Sequence, residues 1–152
     1  MSDTPNSFPR LSERDALVAY ATMINTGDVS AFGGLLAADF KYTSQNVLTD
    51  MVGKDTYLEF MAAKFETMRD AGLMPMADLA RLPGYGHADG VVLWQGNPPE
   101  PQCVAYVDIA DGAVKALHLC IIPNPASGVP FSLWPGLPAD RPRPTTSGET
   151  PA

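Results

Sequence analysis

The sequence lacks almost every pattern that announces a chemistry. It holds two histidines and two cysteines in 152 residues. His87 and His118 are far apart with no acidic cluster between them, so no metal-ligand spacing exists. There is no phosphate-binding glycine loop, no Cys-x-x-Cys and no nucleophile elbow. No run of about 18 apolar residues occurs, so no membrane span is expected. The first residues lack a basic-then-apolar order, so no signal peptide is expected and the cytoplasm is the expected location. Basic residues are few and scattered, 10 Lys+Arg against 17 Asp+Glu, which excludes a nucleic-acid surface. The net charge of −7 reads as a solvated acidic surface. No cofactor is implied and no internal repeat is present.

What is present is a clear order of elements. Ser12 stands three residues before Asp15, the spacing of a helix N-terminus in which the hydroxyl accepts from the Asp15 backbone N–H. Ala16, Tyr20, Met23 and Ile24 follow at helical spacing, and Gly27 supplies a left-handed stop. Asp28 is placed to cap a second helix carrying Val29, Phe32, Leu35 and Leu36, closed by Ala-Ala-Asp. From Phe40 the period becomes that of a strand. After Gly53, Leu58, Met61, Phe65 and Met68 mark a third helix, ended by Gly72.

The second half reads as strands. Met74 to Leu82 is ambiguous and short. Val91 to Gln95 is a compact apolar run. Gln102 to Ile109 and Val114 to Ile122 flank Asp111-Gly112, a strong hairpin signal because both turn positions need positive φ. Prolines crowd the chain from Pro123 onward, where regular structure is not expected. Phe131, Leu133 and Trp134 within that stretch suggest a docked arm. The expected organisation is an extension over 1–10, one domain over 11–122, an arm over 123–138 and a disordered tail over 139–152.

This order resembles the nuclear transport factor 2-like superfamily, which includes ketosteroid isomerases and SnoaL-type polyketide cyclases. Tyr20 with Asn25-Thr26-Gly27-Asp28, then Leu35 to Phe40, Gly53-Lys54 and the terminal hairpin carry the resemblance. It implies an α+β fold, a cone-shaped, strongly curved, mostly antiparallel sheet packed on three N-terminal helices. Function is not implied with it, since one fold hosts many chemistries. Of the isomerase roles, Tyr20 matches the oxyanion donor. Ser44 stands where the aspartate base would be, and Val104 stands close to the second acid. Leu117 and Leu119 occupy positions where the cyclases place His and Asp. A serine offers no useful basicity near neutral pH, so proton abstraction has no candidate base there.

A two-residue turn at Asp111-Gly112 pairs residues whose numbers sum to 223. Cys103, Ala105, Val107, Ala116, His118, Cys120 and Ile122 then share one face, and Val104, Tyr106, Leu117, Leu119 and Ile121 the other. The resemblance puts the second set inside the cone and makes the first an outer face, often a dimer surface. His118 falls outside unless a bulge flips it. Cys103 and Cys120 become a cross-strand pair roughly 4.5 Å apart at Cα, held as two thiols in a reducing compartment.

The expected cone lining is Tyr20, Met23, Tyr42, Ser44, Trp94, Val104, Tyr106, Leu117 and Leu119, with Tyr20 as the best catalytic candidate. Such a lining suits a small hydrophobic or aromatic molecule. The same residues could instead fill the core. Two functional readings follow. One is a homodimeric small-molecule-binding protein of the SnoaL-like type, or a weakly specified isomerase or cyclase acting on a hydrophobic carbonyl or hydroxyl substrate. The other is a non-catalytic dimeric interaction or structural domain.

Overall fold

The computed structural model describes residues 11–45, 47–82, 89–121 and 124–144. The first helix, α1, spans Glu13–Thr26. Ser12 caps it, its hydroxyl accepting from Asp15 N at 3.0 Å. Gly27 ends it at φ +75°, a left-handed conformation that favours glycine, with the Arg69 guanidinium lying over it.

The second helix, α2, is a single turn, Ser30–Gly33, shorter than expected. Asp28 Oδ1 accepts from Ser30 N at 3.0 Å and from Ser30 Oγ at 2.7 Å. Leu36 to Asp39 are not its last turn. They open the first strand, β1, Leu36–Ser44. The reason lies in tertiary pairing: Leu36 pairs with Val114 in a parallel ladder, and Val114 N donates to Leu35 O. A second strand, β2, Val47–Val52, folds back on β1 and was not expected from the sequence. The third helix, α3, spans Lys54–Ala71 and stops at Gly72, φ +71°.

The remaining strands are β3 Met76–Arg81, β4 Asp89–Gln95, β5 Glu100–Ala110, β6 Ala113–Cys120 and β7 Val129–Pro130. They form one seven-stranded sheet in the order β2-β1-β6-β5-β4-β3-β7. Among the described strands the β1–β6 pair is parallel and the others are antiparallel. The ambiguous Met74 to Leu82 segment resolves as β3, buried on both faces. Ala77 and Leu79 join the helix-side core, while Met76 and Ala80 join a second core outside.

The hairpin carries the main correction. Asp111 (φ 55°) and Gly112 (φ 74°) form the expected two-residue turn. Ala110↔Ala113 and Ile109↔Val114 keep the sum of 223. Beyond them Asp108 pairs with Ala116, Tyr106 with His118 and Val104 with Cys120, a sum of 224. Lys115 is the extra residue, a bulge that inverts the face of one strand relative to the other. Leu117 and Leu119 face the helices as expected. In β5, however, Ala105 and Val107 face the helices, and Val104 and Tyr106 lie in the outer core. Cys103 and Cys120 therefore do not form a facing pair. Cys120 stands opposite Val104, and the two thiols lie on opposite sides of the sheet.

The chain leaves β6 beside β1, yet β7 pairs with β3 at the far edge. Residues 124–130 therefore cross the outer sheet face. Trp134 and Leu137 then bury themselves with Val92, Trp94, Val104 and Tyr106. Asp78, 1% exposed on β3, accepts from the backbone N–H groups of Ser132, Leu133 and Trp134 at 2.7 to 2.9 Å. Ser132 and Trp134 adopt positive φ, which aims consecutive N–H groups at the one carboxylate. Asn25 locks the same region, donating to Ala77 O and Pro135 O and accepting from Ala77 N. Leu133 itself points outward, 53% exposed.

Candidate functional site

The concavity between α1, α3 and the inner sheet face is largely filled by its own side chains. Phe32, Phe40, Tyr57 and Phe65 are all fully buried. Aromatic rings run through it in contact. Tyr20 meets Phe32 edge-on at 5.3 Å, Phe40 lies 4.8 Å from Tyr57, and Tyr57 lies 5.4 Å from Tyr42. What remains open is a cavity of about 110 Å³. Ordinary small-molecule pockets begin near about 300 Å³.

Four of the nine expected lining residues border it: Tyr20, Tyr42, Trp94 and Leu119. Met23 and Leu117 are fully buried in the core nearby. Ser44 is half-buried and hydrogen-bonds with Tyr42. Val104 and Tyr106 are on the other side of the sheet, for the bulge reason given above. Trp94 also packs on Trp134, ring centroids 6.2 Å apart. The sequence reading missed Tyr57, Met61, Lys64 and Cys103. The α3 residues were visible in principle, because Tyr57, Met61, Lys64 and Met68 recur at spacings of four, three and four on one helical face. Cys103 needed the bulge.

The chemistry of this site is that of neutral donors. Burial holds the Tyr20 phenol well above its ordinary range, and its neighbours Tyr57, Cys103 and Tyr42 push the same way. Burial likewise raises Tyr57, with Tyr42 adding to it. Burial raises Tyr42 against the opposing bond with Ser44. The Cys103 thiol is pushed up to about 11, mainly by burial and with Lys64 opposing. All four groups keep their protons at neutral pH, and none is a base. The Tyr57 hydroxyl, on a residue 0% exposed, has no hydrogen-bond partner.

His118 lies outside. Its Nδ1 is 2.8 Å from Thr43 Oγ1 and its Nε2 is 2.6 Å from Asp108 Oδ2, tying β1, β6 and β5 together on the outer face. His87 lies outside the described residues. Among the described residues no three His, Cys, Asp or Glu side chains gather as metal ligands. A larger groove of about 550 Å³ runs along the outer face under residues 125–130. Its buried carboxylate, Asp78, is spent on the arm, so size and chemistry point to different places, and the chemistry favours the cone.

No family model and no curated protein matches the sequence. Solved structures do resemble it. One is an NTF2-like protein of unknown function from Cytophaga hutchinsonii, at 12% identity over 73% of this chain and 90% of that one, TM-score 0.51. Another, from Catenulispora acidiphila, has a ketosteroid isomerase-like fold and was crystallised with trimethylamine. It matches at 17% identity over 87% of this chain and 100% of that one, TM-score 0.50. A candidate polyketide cyclase from Xanthomonas campestris matches at 16% identity over 70% and 90%, TM-score 0.50. The chain has the nuclear transport factor 2-like fold, three helices on a curved, mostly antiparallel sheet. At these identities the likeness is one of fold. No helix among the described residues is long and apolar enough to cross a membrane.

Proposed function

We propose that this protein is a cytoplasmic binding protein for a small, compact molecule bearing a carbonyl or hydroxyl oxygen, held in the cone without proton abstraction. The observation that carries the reading is a cavity walled by the phenols Tyr20, Tyr42 and Tyr57, of which the Tyr57 hydroxyl is buried and without a partner. A buried donor left unpaired costs free energy, and a ligand acceptor that reaches it through a small shift of the ring recovers that cost. Among the described residues no base stands beside these phenols, which favours binding over isomerisation. The size argues for few atoms, since about 110 Å³ is well below the roughly 300 Å³ at which ordinary small-molecule pockets begin. That a fold relative holds trimethylamine is compatible with a ligand this small.

The test is a titration of 2-pentanone followed by the methyl resonances of Met61 and Met68, both on the cavity wall. Wild type should show saturable shifts, weakened several-fold in Tyr20→Phe. Shifts that do not saturate would favour the non-catalytic structural reading, in which the cone is merely a core. Self-association through the outer sheet face belongs to the same proposal in narrowed form. The arm occupies the face over β3 to β5, so a second copy would use the strip of β1 and β6 around Thr43, His118 and half-exposed Ile121.

A further inference from the structure

Three polar side chains stand in line on the outer sheet face, away from the cone. His118 of β6 lies opposite Tyr106, a member of the outer core, and beside Thr43 in the parallel ladder with β1. Asp108 is two residues along β5 from Tyr106, on the same face. The Lys115 bulge brings His118 and Asp108 together; without it His118 would share its face with Ala105 and Val107 instead. The imidazole sits between the other two side chains. Its Nε2 is 2.6 Å from Asp108 Oδ2 and its Nδ1 is 2.8 Å from Thr43 Oγ1. Those partners assign the ring proton. An ionised carboxylate only accepts, so Nε2 carries the hydrogen and donates it. In the neutral ring Nδ1 is then bare and accepts from the Thr43 hydroxyl. A hydroxyl on a base, with the base held by a third group, is the arrangement that activates nucleophiles for acyl transfer. Nearby polar contacts of these strands are plain ion pairs, Lys115 with Asp39 at 2.8 Å and Lys41 with Asp50 at 3.1 Å. A histidine serving only as such a partner needs Asp108 and no hydroxyl. The three residues meet solvent: the His118 side chain is 32% exposed and that of Asp108 50%, with Thr43 half-buried beside them.

We propose that Thr43, His118 and Asp108 form an acyl-transfer site that hydrolyses small activated acyl donors, aryl esters or thioesters. The site is independent of the cone. Thr43 Oγ1 attacks the acyl carbon while its proton passes to His118 Nδ1. The bond to the leaving oxygen or sulfur breaks, and that atom takes the proton from Nδ1. The acyl group stays on Thr43 Oγ1. A water then gives a proton to Nδ1 and attacks the acyl carbon. The bond to Oγ1 breaks and the proton returns to Oγ1, leaving a carboxylic acid beside the alcohol or thiol already released. Asp108 is a positioning residue, which holds the ring in its tautomer and stabilises the imidazolium formed at each transfer. The face is open, so it grips no long acyl chain and the substrate is small. Base assistance of this kind contributes about 10²- to 10⁴-fold, enough for a good leaving group and too little for an amide.

The probe is p-nitrophenyl acetate with the full chain, read as release of p-nitrophenolate and as acetyl mapped by mass spectrometry after an acid quench. Release should be faster than with free imidazole at the same concentration, with acetyl trapped on Thr43. Thr43→Val keeps the shape and removes the hydroxyl; it should lose about tenfold or more in rate, and the adduct with it. Thr43→Ser should keep both, which a merely structural hydroxyl does not predict. His118→Gln should fall to the Thr43→Val rate, with His87 as the remaining histidine. Asp108→Asn should lower kcat about tenfold or more and leave KM unchanged, as a positioning role requires. Circular dichroism checks that each variant is folded. Self-association over the same strip would cover the three residues, so turnover per chain should be highest in dilute solution. Acetyl found only on other residues, with turnover unchanged in Thr43→Val, would overturn the assignment of the nucleophile. Release no faster than with free imidazole would overturn the site as a whole. Neither result touches the reading of the cone.

Discussion

Tyr57→Phe separates a binding site from a core more sharply than any other change. The substitution removes one oxygen and keeps the ring, whose contacts with Phe40 at 4.8 Å and Tyr42 at 5.4 Å survive. A buried hydroxyl without a partner carries a desolvation penalty of about 1–3 kcal/mol. Relieving it should stabilise the unliganded protein by about 1–2 kcal/mol. For a domain of this length that is a rise in Tm of about 2–8 °C, at about 2–4 °C per kcal/mol. Urea unfolding should show a higher midpoint at unchanged slope. The same variant should bind 2-pentanone about fivefold more weakly, because one neutral hydrogen bond of about 1 kcal/mol is gone. Tyr42→Phe is the control. Its hydroxyl bonds with Ser44, so its loss should be neutral to destabilising. A fall in Tm for Tyr57→Phe would mean that the hydroxyl is satisfied in the free protein, and unchanged ligand affinity would remove it from the site. Either result refutes the reasoning.

Asp78→Ala strands three N–H donors and should cost about 3 kcal/mol or more; limited proteolysis, stopping beyond buried Leu137 near Arg141 in wild type, should run back toward Pro125 in the variant. Oxidation should produce no link between Cys103 and Cys120 within a chain, since they lie on opposite sides of the sheet; a mapped intrachain disulfide would overturn the bulge register. Below pH 9 Cys103 should hold about a hundredfold less thiolate than a thiol of its ordinary value 9.0, so alkylation followed by mass spectrometry should label half-exposed Cys120 first. Because the folded value lies above the unfolded one, the stability linked to that buried thiol is complete below pH 9 and is lost as pH rises toward 11. Wild type should show no steroid isomerase turnover; appreciable turnover would defeat the argument from the missing base.

Local signals were legible wherever one residue decides one dihedral or one cap. Ser12, Gly27, Gly72 and the Asp111-Gly112 turn all act within a few residues of themselves, and each is where the chain said it would be. The helical stripe on α3 was equally readable, and Tyr57 and Lys64 could have been taken from it. The failures were long-range. Leu35 to Asp39 have helix-compatible composition, but pairing with Val114 draws Leu36 onward into a strand. The Lys115 bulge leaves no mark on composition, yet one added residue inverts a strand's faces. It moved Val104 and Tyr106 out of the cone, brought Cys103 in and separated the two thiols.

The sequence by itself determined the starts and stops of α1 and α3, the terminal hairpin turn and the order of helices before strands, because caps, turn residues and hydrophobic period act locally. Whether the cone is open, which phenol inside it lacks a partner, and that a buried aspartate binds the arm across the sheet were decided only in the tertiary structure. Those depend on which side chains from distant segments compete for one volume, and no local pattern encodes that competition.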